Sequence, residues 1–353
     1  MGRTLNFAQA INEAMTIAME RDPKTLCFGL GVDDPKRIFG TTNGLVEKFG
    51  NARVFDTPTS EAAMTGIAIG ASLNGIRSIM THQRLDFFLL TMDQIVNNAA
   101  KWKYMFGGQS SSVSLTARLI LGRGWGQGPT HSQNLQSWFA HIPGLKVLMP
   151  FSPADAKGLL LASIFDRNPV IFLEHRWLHQ SIGEVPEGFY TTPIGKANVL
   201  RAGTDVTIVS YSYMTAEALH ALHALSNAGI SAELIDLRSL RPMDWPTIIQ
   251  SVKKTGRLLA LDTSNSMCSI ASEVIATVTQ ELFSSLRTAP ERITLPDYPS
   301  PTSSALTEKF YPRAEDIAAK VGKMLNISID TTSIIASRTH PHDIPGEWFK
   351  GPF

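Results

Sequence analysis

Cysteine is nearly absent: Cys27 and Cys268 are the only two in 353 residues. Their separation gives neither a disulfide framework nor a metal-ligand spacing. An excess of either charge is also missing. Thirty-two Lys and Arg stand against thirty-one Asp and Glu, a formal net charge of +1, and no basic stripe recommends nucleic acid or an anionic membrane as a partner. No apolar run approaches the ~20 residues that span a bilayer. The opening segment, MGRTLNFAQAINEAMTIAMERDP, lacks the cationic head, apolar stretch and small-residue cleavage site of a secretory leader. The expected location is therefore the cytoplasm. No short-period repeat is found, which excludes solenoids and propellers.

What is present is a large apolar fraction, 43% against 18% charged residues, enough for two well-packed domains and too ordered a composition for a disordered chain. In the opening segment Phe7, Ile11, Met15 and Ala18 recur at helical spacing, so an amphipathic first helix is expected. Short β-like runs follow: TLCFGLG, the 77–80 stretch, LKVLMP, PVIFLEH, VTIVSYS, AELIDL and RLLALD. Helical patterns lie between them at 62–73, 92–103, 153–165 and 214–227. This alternation predicts an α/β fold with parallel sheets covered on both faces.

A stretch rich in Pro, Gly and Thr, GEVPEGFYTTPIGKANVLRAGTD, has no helical period and interrupts the series. It divides the chain into a first domain over 1–185, a linker at 186–203, a second domain over 204–330 and a tail at 331–353. The tail reads as a frayed terminus, but Trp348, Phe349 and Phe353 are costly to leave in water and favour docking on a partner.

Glu61 stands directly before a small-residue helix in DTPTSEAAMTGIAIGASLNG. By itself this is a helix N-terminal acid favoured by the macrodipole, with Ser60 as its cap. The glycine-rich LGRGWGQGP fits neither a Walker nor a Rossmann pattern. In concert, however, DTPTSEAAMTGIAIGA, MDQIVNNAAKWKYMFGGQ, HSQNLQSWFAHIPGLKVLMP, DAKGLLLASIFDRNPVIFLEH, GEVP, PIGKA, IDLRSLRP and IIQSVKKTGR carry a specific resemblance. Over about residues 5–325 the chain resembles the beta subunit of the 2-oxoacid (pyruvate or branched-chain) dehydrogenase component, a thiamine-diphosphate-dependent member of the transketolase-like superfamily.

That resemblance implies a pyrimidine-binding domain followed by a transketolase C-terminal-like α/β domain. It implies that Glu61 bonds the aminopyrimidine of thiamine diphosphate. A carboxylate sharing a proton with that ring favours the imino tautomer, whose nitrogen then deprotonates the thiazolium carbon. Phe87 matches the aromatic residue packing on the pyrimidine, and a plain core phenylalanine is its other reading. Gln83 stands where the family has methionine. His131 matches the histidine on the substrate side, suited to proton transfer near neutral pH; a histidine capping the next helix is the alternative. His82 and Arg84 depart from the family and are expected beside the substrate. Ser163, Asp166 and Asn168 match a structural potassium site, although Asp166 also reads as a turn residue in DRNP.

Two further departures concern Leu30 and Gly31, which stand where the family carries acids, with Asp33 and Asp34 displaced, and the LDTSNSMCSIASEV segment, which replaces a glycine-rich turn. The diphosphate-and-magnesium motif of thiamine enzymes is missing. In the family an alpha subunit supplies that half, with Mg2+, in an α2β2 heterotetramer. The implied activity is decarboxylation of a 2-oxoacid with acyl transfer to a lipoyl carrier on an acyltransferase core. A split transketolase, or an acyl or ketol transferase acting on a sugar or carbonyl acceptor, is the alternative. A scaffold without chemistry is a third.

Overall fold

The structure, a computed structural model, describes residues 3–110, 112–123 and 126–345; Trp348, Phe349 and Phe353 lie outside the described residues. Strand β1 (Arg3–Asn6) leads into α1 (Phe7–Arg21). Asn6 caps this helix by accepting from the Gln9 amide at 2.8 Å, and the Gln9 side chain reaches back to the Asn6 amide at 2.9 Å, a reciprocal cap that satisfies two otherwise unpaired donors. The buried face carries Phe7, Ile11, Met15 and Ala18, as the helical period requires.

The first sheet uses β2 (Thr25–Gly29), β3 (Val54–Asp56), β4 (Arg77–His82), β5 (Leu115–Leu121), β6 (Lys146–Leu148) and β7 (Val170–His175). Between them run α2 (Leu45–Phe49), α3 (Glu61–Leu73), α4 (Leu85–Phe88), α5 (Ala100–Met105), α6 (Gln136–His141) and α7 (Pro153–Ile164). These strands pair in parallel, and cores lie on both faces of the sheet, the burial that parallel sheets demand. Strand β8 (Ile182–Val185) then returns antiparallel to β1.

The central strand β5 is not among the expected runs. Arg118 breaks its apolar pattern, and the strand is buried because that guanidinium meets Glu174 on β7 at 2.6 and 2.8 Å. The helix expected at 92–103 is also different. A 3-10 turn at Leu89–Thr91 and a π turn at Gln94–Ala99 precede the short α5. The π stretch contains Ile, Val and two Asn, all weak helix formers, and Asn97 and Asn98 bond back to Asp93 and Gln94 at 2.7 and 3.1 Å.

The second sheet holds β9 (Asn198–Arg201), β10 (Val206–Ser210) and β11 (Ala232–Asp236), followed by β13 (Leu258–Asn265) and β14 (Glu291–Leu295). Its order is β14-β13-β10-β11-β9, with only β9 antiparallel. Strand β9 falls inside the expected linker, so the irregular connection is shorter than its composition suggests. Helices α8 (Tyr213–Asn227), α9 (Trp245–Thr255), α10 (Ile270–Leu282), α11 (Ser304–Thr307) and α12 (Ala314–Leu325) complete this half. The described part of the tail forms α13 (Thr332–Ala336) and buries Ile334 in the same core. It therefore packs on its own domain and is not frayed.

The halves interlock. Strand β12 (Ser239–Arg241) leaves the second half and pairs antiparallel with β6 of the first sheet. Gln136, fully buried at the start of α6, places its Nε2 2.9–3.0 Å from Tyr211 Oη, Asp262 Oδ1 and Thr263 Oγ1 of the second half. Among the described residues no helix is long and apolar enough to cross a membrane.

Candidate active site

Ligands of open parallel sheets bind beyond the carboxyl ends of the strands, and the singled-out residues follow β3, β4 and β5. Thr57 holds the loop after β3 by donating both its amide (2.9 Å) and its hydroxyl (3.1 Å) to the carbonyl of Gly29. The chain then enters α3 at Glu61, which is only 6% exposed. Ser60 occupies the N-cap, but its side chain makes no capping bond. No hydrogen bond from a described residue is found at the Glu61 carboxylate. A carboxylate kept from water is costly unless its oxygens find partners. Beyond it Ala62 and Ala63 are exposed, and Ile67 is 68% exposed on the same helix.

Phe87, on α4, and His131 meet edge-to-face, with ring centroids 5.4 Å apart and planes at 89°. Phe87 remains 39% exposed, which is not the environment of a plain core phenylalanine. Asp86 ties the two segments together. Its Oδ1 accepts from the Gln133 side chain at 2.8 Å and from the Gln133 amide at 3.3 Å. Burial pushes the Asp86 carboxyl up, against the lowering effect of those bonds. Thr130 Oγ1 lies 3.0 Å from His131 Nδ1. The following helix is capped at Leu135, with no side-chain cap, so His131 is not a capping residue.

Gln83 is half-buried and donates to Asp34 Oδ2 at 3.1 Å. Gly31 makes this possible. Its φ is +78°, and a Cβ there would fall 1.9 Å from Gln83 Nε2, so an acid at this position would be strained and would displace the Gln83 amide. Asp34 brings a carboxylate back to the same wall. Asp33 instead pairs with Arg37 at 2.6 Å.

The two residues expected beside the substrate are placed otherwise. His82 is 1% exposed and packs edge-on against Phe88 at 5.0 Å. Burial alone pulls its imidazole down to about 3, so it stays neutral. Arg84, 2% exposed, is carried over the ring of Phe39 at 5.8 Å. Both are buried, whereas Phe87 stays exposed beside His131.

Sequence reasoning missed two arginines and a histidine at the ends of neighbouring strands. Arg123 follows β5; His175 ends β7 and Arg176 follows it. All three are at most 8% exposed. Their only signal is a basic residue ending an apolar run, which ordinary strand ends share.

Ser163, Asp166 and Asn168 lie at the turn from α7 into β7, the opposite end of the sheet from Glu61. Asp166 Oδ1 accepts from the amide and side chain of Asn168, both at 2.8 Å, and Oδ2 pairs with Lys146. Ser163 donates to the Leu159 carbonyl at 2.7 Å. These side chains act as a turn and a helix back-bond, and they do not converge as ion ligands. Among the described residues no group of three or more His, Cys, Asp or Glu is arranged to hold a metal.

The described residues thus offer a buried acid at the start of α3 and, after β4 and β5, an exposed aromatic ring edge-on to a histidine. The transketolase pyrimidine-binding domain family matches residues 3–180, and the transketolase C-terminal domain family matches 195–317. The chain is 43% identical over 335 residues to the acetoin:2,6-dichlorophenolindophenol oxidoreductase subunit beta of Cupriavidus necator, covering 92% of this chain and 98% of that one. It is 41% identical over 319 residues to the mitochondrial pyruvate dehydrogenase E1 component subunit beta-2 of Oryza sativa subsp. japonica, covering 89% and 85%. A solved split-gene transketolase, described as an inactive beta4 tetramer, aligns with a TM-score of 0.72 at 23% identity over 93% and 99% of the two chains, a likeness of fold. The chain belongs to the family of beta subunits of the thiamine-diphosphate-dependent 2-oxoacid dehydrogenase component, built on transketolase pyrimidine-binding and C-terminal domains.

Proposed function

We propose that this chain is the beta half of a thiamine-dependent oxidoreductase that takes an acyl group from a short 2-oxoacid, or from the related α-hydroxyketone, and passes it to a lipoyl carrier. The observation that carries this reading is the buried Glu61 carboxylate, which takes no hydrogen bond from a described residue, together with an exposed Phe87 edge-on to His131. Bound thiamine diphosphate supplies the carbanion-stabilising chemistry. Glu61 holds a proton on the pyrimidine ring, Phe87 packs against that ring, and Gln83 makes the neighbouring wall polar. His131 moves a proton to or from the donor oxygen, as a histidine near neutral pH does well.

An alpha-type partner, in an α2β2 assembly, supplies the diphosphate half with its Mg2+. Exposed apolar residues support this docking. Ile67 on α3, Leu90 beyond α4, and Tyr104, Met105 and Phe106 at the end of α5 are 68%, 66%, 90%, 56% and 48% exposed, a large apolar surface on the elements that carry the site. A K+ ion at the Ser163–Asn168 turn would have to be held by backbone carbonyls, since the Asp166 carboxylate is engaged.

Co-expression with an alpha-type subunit, followed by dye reduction with pyruvate and with acetoin, tests the reading. Dye reduction that needs both chains supports it, and the preferred donor names the substrate. A stable complex that holds cofactor yet is silent with both donors overturns it in favour of transfer to a sugar or carbonyl acceptor.

A further inference from the structure

Residues 126–135, which carry His131, form neither helix nor strand. A histidine on such a segment is placed only as well as its anchors are. The anchor on the far side belongs to the second half: Gln136, at the start of α6, gives its Nε2 to Tyr211, Asp262 and Thr263. The anchor on the near side is Asp86. Its Oδ1 takes both the side chain and the amide of Gln133, two residues from His131.

Three consecutive residues of α4 thereby meet the His131 segment and the helix that follows it. Asp86 bonds Gln133, Phe87 meets His131 edge-to-face at 5.4 Å, and Phe88 packs on Phe139 of α6 at 5.8 Å. Phe88 and Phe139 are fully buried, so that contact fixes α4 against α6. It does not reach His131, because irregular chain separates the histidine from α6. The Asp86 bonds carry the fixed spacing out to the ring pair. A hydrogen bond to an ionised acceptor is roughly twice as strong as a neutral one, which suits a carboxylate to this task.

We propose that Asp86 is a positioning residue: through Gln133 it holds the His131 imidazole in register with Phe87, and hence with the pyrimidine ring that Phe87 packs against. The role rests on the function proposed above for those two residues. Asp86 acts through Gln133 and exchanges no proton with the substrate. A misplacement of about 1 Å in a reacting group can cost on the order of 10²-fold in rate, so loss of these bonds should fall on kcat and leave the KM for cofactor nearly unchanged.

Two readouts test this. In the full-length chain carrying 13Cε1-labelled histidine, the His131 NMR signal is identified by its loss in His131→Gln. Asp86→Ala and Gln133→Ala should each move that signal. Asp86→Asn, whose amide oxygen still accepts from Gln133, should leave it near its wild-type position. Turnover of the complex with an alpha-type partner should fall about 10–100-fold in Asp86→Ala and return to within about threefold of wild type in Asp86→Asn. On a His131→Gln background Asp86→Ala should cost less than about threefold more, since residues that act as a unit are non-additive. A His131 signal unmoved in both Asp86→Ala and Gln133→Ala would overturn the proposal. So would an Asp86→Asn complex as slow as Asp86→Ala, or a full loss on the His131→Gln background. Wild-type turnover in His131→Gln, with the signal moving as expected, would overturn the function proposed for the histidine and leave the Asp86 anchor standing, so the two failures are told apart.

Discussion

Replacing Glu61 by glutamine should lower thiamine-dependent turnover of the assembled complex by about 10²–10⁴-fold, the range for losing a positioned acid-base group. The amide keeps the shape and removes the shared proton. The fold should be untouched, because no described residue bonds this carboxylate and the loop before α3 is held by Thr57 on Gly29. Circular dichroism and gel filtration of the complex would check assembly, and single-turnover kinetics would check chemistry. Turnover within threefold of the wild type would remove Glu61 from the catalytic machinery. A raised KM for cofactor with unchanged kcat would instead give it a binding role alone.

The second large effect is on stability. Glu174→Gln should destabilise the chain by about 3–5 kcal/mol, the cost of leaving a buried guanidinium uncompensated. Arg118 and Glu174 are 1% and 0% exposed, and their contact is bidentate on adjacent strands in the middle of the first sheet. The double replacement Arg118→Met with Glu174→Leu should recover most of that loss, since apolar pairs often replace buried ion pairs at little cost. Urea unfolding followed by tryptophan fluorescence would measure both. A double variant no better than the single one would mean that the pair is needed for packing and not for charge balance.

The same pair sets a pH dependence. Burial, the largest single influence, pushes the Glu174 carboxyl up, but Arg118 and His179 together hold it below its ordinary value of 4.5. The contribution is therefore complete above about pH 4.5 and is lost as pH falls through the lower folded-state value.

How far the residues alone disclose this arrangement depends on what surrounds each one. Runs such as PVIFLEH and VTIVSYS are buried on both sides and announce themselves as parallel strands. The run containing Arg118 does not, because its partner Glu174 is 56 residues away and a lone arginine argues against burial until that partner is known. Glu61, Phe87 and His131 are legible as a set only through the motifs they sit in, since nothing in their spacing foretells the edge-to-face contact. His82 and Arg84 look like substrate-facing polar residues by composition. Both are buried, and part of the surface that covers Arg84 comes from the loop at 37–39, where Arg37, Ile38 and Phe39 all take positive φ and Phe39 sets its ring against the Arg84 guanidinium. Left-handed turns of bulky residues are disfavoured locally, and no local pattern predicts them. Asp34 is a similar case: it is displaced in sequence but restored in space by the Gly31 turn.

Strand β12 has a consequence for solubility. It covers the outer edge of β6, the last strand on that side of the first sheet. Uncovered strand edges present unpaired amides and carbonyls to any passing chain. The second half thus serves as a sheath for the first, and a first half severed from it would carry a bare, sticky rim along β6. The second domain closes an edge that the first cannot close by itself.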